Sequence, residues 1–232
     1  MKCTRFVSFS PTAIAGAFLA LPSISMATLV GPTPYLCFDT TNSNSSYEAT
    51  YSGSCGTSGS PWAADAIAGN FTYFHLENFQ DLLLNAGVSA SSGTAYGGTI
   101  TDSVDADDGV IDGSGSEPGG KSFFSSAGST SFTFDGTALG GLPTHVGIVW
   151  TDGGGGSTFR AYDETGVELA GGPLTSNSAD ARVDGTTVDD VFYGAINSGG
   201  ISLIFISSLS GGIEVDHLQY GLWGGDDGGS GG

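Results

Sequence analysis

The chain has 232 residues, of which 40 are glycine, and carries five Lys/Arg against 24 Asp/Glu, a formal charge of −19. So few basic side chains exclude nucleic acid and anionic membrane surfaces as partners, since both are recognised through Lys and Arg. The length suffices for one sizeable core.

At the N-terminus Lys2 and Arg5 precede an apolar run, Ala13–Leu21, then Pro22 and the small residues Ser25 and Ala27. This is the pattern of a secretory signal peptide cleaved after Ala27. The apolar run falls short of the roughly 20 residues needed to span a bilayer. No later stretch reaches that length, so no membrane span is expected in the mature chain. Removal of residues 1–27 leaves Lys121, Arg160 and Arg182 as the only basic residues, and Cys37 and Cys55 as the only cysteines. An even pair in an exported chain predicts a Cys37–Cys55 disulfide. On the chain-entropy account it would add about 3 kcal/mol.

Residues 28–70 read as a Ser/Gly-rich extension carrying that disulfide. Residues 71–222 read as the main domain and 223–232 as a Gly-rich tail. Short β-rich runs separated by glycine are expected at Tyr35–Asp39, Phe71–Leu76, Ser131–Phe134, His145–Trp150, Thr158–Tyr162, Val167–Leu169, Val191–Ile196, Ile201–Ile206 and Ile213–Gln219. Several alternate with period two, which sends one set of side chains to a core and the other to solvent. By that rule Ile213, Val215 and His217 oppose Glu214, Asp216 and Leu218. Asp163-Glu-Thr-Gly166 reads as the turn of a hairpin. The one helix candidate is Glu77–Asn85, with Phe79, Leu82 and Leu83 at helical spacing. The predicted fold is therefore all-β, an antiparallel β-sandwich of jelly-roll type with at most one short helix.

Five carboxylates, Asp102, Asp105, Asp107, Asp108 and Asp112, fall within eleven positions, with Gly109 and Gly113 among them. Crowded carboxylates repel one another, and Ca²⁺ with its oxygen ligands would offset that repulsion. The alternative is a solvated acidic loop. The twelfth position from Asp105 is Ser116, so this is no EF-hand. Glu77, Asp216 and the pair Asp189-Asp190 are further candidate ligands. His75, His145 and His217 lack zinc spacing, and no Gly-x-Ser-x-Gly elbow occurs. The acids nearest to aromatics are Asp152 beside Trp150, and Glu214 and Asp216 before Tyr220. Each reads as a strand end rather than a cleft. Trp62, Tyr96, Trp150, Tyr162 and Tyr193 are the aromatics that could present a platform to a sugar.

Four stretches together carry a resemblance. They are Glu77-Asn-Phe-Gln-Asp-Leu-Leu-Leu-Asn85, the acidic run 101–115, Leu142-Pro-Thr-His-Val-Gly-Ile-Val-Trp-Thr-Asp152 and Gly212-Ile-Glu-Val-Asp-His-Leu-Gln-Tyr-Gly221. Over residues 71–221 the chain resembles uncharacterised exported proteins of Gram-negative bacteria, many of which carry a PEP-CTERM sorting signal. The resemblance implies a jelly-roll-like sandwich delivered to the cell surface or extracellular matrix. No Pro-Glu-Pro motif, apolar helix or basic tail follows Tyr220, which points to release rather than anchoring. A looser likeness to galactose-binding-like folds and carbohydrate-binding modules implies a structural Ca²⁺ between first and last strands, at Glu77 and Asp216. The expected protein is thus a secreted, calcium-stabilised, non-catalytic surface or matrix β-sandwich that binds polysaccharide or cell-surface glycans. A polysaccharide-active enzyme, glycosidase or lyase, and a cation-bridged self-assembling structural protein are the alternatives.

Overall fold

The computed structural model describes residues 27–36, 38, 58–97, 101–104, 120–177 and 190–224. The strands are β1 (Thr28–Pro34), β2 (Phe71–Glu77), β3 (Val88–Ala90), β4 (Thr94–Tyr96), β5 (Ser122–Ser125), β6 (Ser129–Phe134), β7 (His145–Asp163), β8 (Leu174–Ser176), β9 (Val191–Ile196) and β10 (Ile201–Trp223). Every pairing between them is antiparallel. Two short helices, α1 (Ala63–Ala68) and α2 (Gly136–Leu139), complete the described elements. The all-β sandwich expected from the alternation is present, with two helices where at most one was expected.

Two long strands organise everything else. β7 and β10 pair along almost their whole lengths, from Ile201↔Asp163 to Gly221↔His145. On its other edge β10 takes β6, then β5, then β2. The ribbon turns where Gly153–Gly156 faces Ser208–Gly212, and the register slips there between Ser208 and Ile213. Its two halves therefore belong to different layers. One layer is β3–β6–β10–β7–β8, built on Ile201–Ser208 and Ser157–Asp163. The other is β1–β9–β7–β10, flanked by β5 with β4 and by β2. Between them lies the main core, with Phe132, Phe159, Ile204 and Ile206 from the first layer and Ile148, Trp150, Tyr193, Val215 and Tyr220 from the second.

Gly153–Gly156, which separate the expected runs His145–Trp150 and Thr158–Tyr162, form a bend within the one strand β7. Glycine permits it because Gly155 and Gly156 have positive φ, and because at Gly154 a Cβ would stand 2.2 Å from the Ser210 carbonyl oxygen. Gly154→Ala is expected to destabilise the protein by about 1–3 kcal/mol through forced backbone displacement. Urea titration measures this, and an unchanged midpoint would mean that the bend tolerates a side chain.

Other elements depart from expectation. Of the strand expected at Tyr35–Asp39, the described residues Tyr35, Leu36 and Phe38 are not in strand conformation. β1 ends at Pro34, and Tyr35 instead donates its amide to the Asp190 carbonyl. The helix at Glu77–Asn85 is absent, since Phe79 and Leu82 take left-handed φ values of 57° and 64°. The expected split of Ile213–Gln219 into a core face and a solvent face also fails. Glu214 and Asp216 are buried along with Val215. A second core covers that outer face, formed by Tyr35, Phe38, Trp62, Phe74, Val104, Val149 and Phe192. Gly147 and Gly194, opposite each other on β7 and β9, leave the space that the Trp62 and Phe192 rings fill.

Candidate functional site

The polar residues of β10 lie under this second core. Between Asp216↔Val149 and Gln219↔Gly147 the strand carries one extra residue, a β-bulge, and His217 sits in it with φ 44°. The bulge turns the buried His217 toward the N-terminal segment. Its Nδ1 lies 2.9 Å from the Tyr35 hydroxyl, which also accepts from Gln219 Nε2 at 3.0 Å. Ser60 closes the chain of bonds by donating to Gln219 Oε1.

Next to this relay, segment 101–104 is fastened by carboxylates. Asp216 Oδ2 accepts from the Ser103 hydroxyl at 2.9 Å and the Val104 amide at 3.0 Å, while its Oδ1 accepts from the His217 amide at 2.7 Å. Glu214 Oε1 accepts from the Asp102 amide at 3.1 Å and from the Ser122 hydroxyl. Thr151 donates to the Asp102 carbonyl at 3.1 Å. Asp152 is the register partner of Glu214 on β7. Asp102, Asp152, Glu214 and Asp216 are all 5% exposed or less. Burial pushes the Glu214 carboxyl up to about 7, and the Asp152 charge adds to the effect, against the hydrogen bonds from Ser122 and Asp102.

The predicted ligands thus divide. Asp102 and Asp216 meet in one seam, joined through Ser103 and Val104. Glu77 stands opposite Leu218 on β2 and does different work. Its Oε1 accepts from the Phe79 amide at 2.9 Å and its Oε2 from the Asn85 amide at 2.7 Å, which closes loop 78–85. Burial raises its pKa, against those two amide bonds. Asp105, Asp107, Asp108, Asp112, Asp189, Cys37 and Cys55 lie outside the described residues. Among the described residues no group of three or more His, Cys, Asp or Glu side chains is arranged to hold a metal ion. Glu214 and Asp152, central to the seam, were legible only as acids near aromatics. The signal for Glu214 was its place one strand period from Asp216.

The aromatic candidates also divide. Trp62, Trp150 and Tyr193 are core side chains, at 4%, 0% and 0% exposure. Tyr96 is exposed on β4 beside Phe124. Tyr162 is half-buried on the outer face of the β3–β6–β10–β7–β8 layer, the face turned away from the main core. Register places Thr133, Leu203 and Tyr162 in one row across this face, and Ser131, Phe205 and Arg160 in the next. Ser129, Ser207, Thr158 and Thr175 form a third. Arg160 Nη1 donates to both oxygens of Glu168, at 2.8 and 2.7 Å. The tip of the same hairpin is turn structure. Asp163 Oδ1 accepts from the Thr165 and Val167 amides, and Gly166 has φ 82°.

No protein-family model and no curated protein matches the chain. Among solved structures it is similar to the enzymatically active domain of tailspike protein 4 of bacteriophage CBA120, with 17% identity and a TM-score of 0.30. The match covers 63% of this chain and 20% of that one, so the chain spans one fifth of the tailspike domain's length. Likeness this distant transfers neither activity nor ligand. No helix among the described residues is long and apolar enough to cross a membrane.

Proposed function

We propose that the protein is an exported, non-catalytic β-sandwich of the cell surface or matrix that binds polysaccharide and takes up Ca²⁺ at its acid-rich segment. The observation that carries this reading is the position of segment 101–104. Glu214 and Asp216 fix its backbone in a carboxylate-rich seam, and the sequence continues from there into Asp105, Asp107, Asp108 and Asp112. Hard oxygen donors concentrated at one place in a chain of charge −19 suit a divalent cation. The same burial speaks against hydrolysis. A glycosidase needs two carboxyl groups that touch the sugar, and Glu214 and Asp216 are 5% and 0% exposed.

Thermal unfolding in EDTA and in millimolar CaCl₂ tests the calcium assignment. A ligand confined to the folded state at a hundredfold excess over Kd adds about 2.7 kcal/mol. For a domain of this size that is a rise in Tm of roughly 5–10 °C. Asp105→Ala or Asp108→Ala should abolish the rise. An identical Tm in both buffers would reduce the acidic segment to solvated surface. Release of reducing ends from polysaccharides by the purified protein would instead select the enzyme alternative.

A further inference from the structure

We infer that the outer face of the β3–β6–β10–β7–β8 layer is the polysaccharide-binding surface, and that its ligand is an uncharged glycan chain. The inference rests on the carbohydrate-binding reading above and assigns it a place and a chemistry.

The two outer faces of the sandwich differ. That of the β1–β9–β7–β10 layer is sealed by the second core, under Tyr35, Phe38 and Trp62. The outer side chains of the β3–β6–β10–β7–β8 layer belong to neither core. Even so, the middle of this face, which neither core of the described residues covers, carries Leu203, Phe205 and Tyr162, all half-buried. Phe205 and Tyr162 are diagonal neighbours, because Phe205 pairs with Arg160 and Leu203 with Tyr162. Diagonal positions on adjacent strands stand roughly 7–8 Å apart. Two rings at that separation on a pleated surface offer flat apolar area to the C–H faces of successive sugar rings.

Around the rings lie hydroxyl groups, Ser131 and Thr133 on one side and Ser207, Thr158 and Thr175 on the other. Each can donate and accept, which suits a ligand whose own polar groups are hydroxyls. The fixed charges in these rows reduce to Arg160, and Glu168 neutralises it as an ion pair at 2.7 Å. Against the net charge of −19, one neutralised guanidinium gives no purchase to a polyanionic glycan. Charge complementarity therefore selects a neutral chain.

The test is native affinity electrophoresis of the full chain in millimolar CaCl₂, through gels containing hydroxyethylcellulose, xyloglucan or, as the polyanion, alginate. The variants are Tyr162→Ala and Phe205→Ala, with Phe205→Leu as a second variant that keeps apolar volume without a flat ring. Thermal melting and sedimentation accompany each. The expected result is retardation by a neutral polysaccharide and not by alginate. Tyr162→Ala and a folded Phe205 variant should each weaken it about tenfold or more. Retardation that all variants retain would overturn the face while leaving carbohydrate binding intact. No retardation by either neutral polysaccharide would overturn the carbohydrate reading together with this inference. A concentration-dependent dimer lost in the same variants would assign the face to a second copy of the chain and overturn the inference.

Discussion

Between pH 4.5 and 7, in EDTA, the free energy of unfolding is expected to fall by about 3 kcal/mol because of Glu214 alone. Its carboxyl is raised from 4.5 to about 7 by burial, with Asp152 adding to the shift. A raised folded pKa means that the folded state holds its proton more tightly than the unfolded chain does. The stabilisation is therefore complete below the unfolded value and is lost as pH rises through the folded one. Glu77, also raised by burial, acts with the same sign. A loss of this size is a large share of a typical total of about 5–15 kcal/mol. Glu214→Gln should flatten the profile and raise Tm at pH 8 by several degrees. The amide keeps an acceptor for Ser122 and Asp102 and can offer a donor to Asp152. Chemical denaturation from pH 4 to 8, on both proteins, measures the difference. Parallel profiles would mean that Glu214 stays ionised in the fold.

Trp150→Ala is expected to cost about 3–5 kcal/mol, or roughly 10 °C in Tm. The indole is fully buried between the layers and lies close against Gly153 at the ribbon's bend. Among the described residues its Nε1 has no hydrogen-bond partner, so the ring's contribution there is packing. Trp150→Phe, which removes that orphaned donor along with some volume, should cost much less, about 1–2 kcal/mol. Polysaccharide retardation should survive in both variants below their melting temperatures. If Trp150→Ala kept its Tm and lost binding, the indole would belong to a ligand surface after all.

Local alternation made Phe132/Phe134 and Phe159/Ala161 legible, because there one face meets the core and the other does not. It misled at Glu214 and Asp216. Nothing in Ile213–Gln219 reveals that Tyr35 and Trp62, about 180 and 150 residues away in the chain, cover its second face. Gly153–Gly156 gave the sequence signal of a turn, and the difference between a turn and a bend lies in the opposing strand, where the Ser210 carbonyl comes within reach. β1 was hidden by Pro32 and Pro34, which suit an edge strand and lower any strand reading. At Glu77–Asn85 the leucine spacing suggested helix. The conformation is decided by one buried carboxylate, that of Glu77, which takes the amides two and eight positions further on, those of Phe79 and Asn85. The acids of the seam were visible as residues, but their partners Ser103, Val104 and Ser122 carry no chemical signature that would join them to β10.

The order of the strands along the chain has a consequence for how this protein comes to be folded. β10, the last element, is the one that β2, β5, β6 and β7 all pair with. A growing chain that ends before Ile201 can already pair β7 with β8 and β9, β1 with β9, β3 with β6 and β4 with β5, but lacks the strand that joins these groups. The pairings of β2, β5 and β6 with β10 must wait, spanning up to about 150 residues of sequence, and such distant pairings form slowly. The joining of the two layers is thereby postponed until β10 is available. A polypeptide of this topology closes around β10 once that strand arrives.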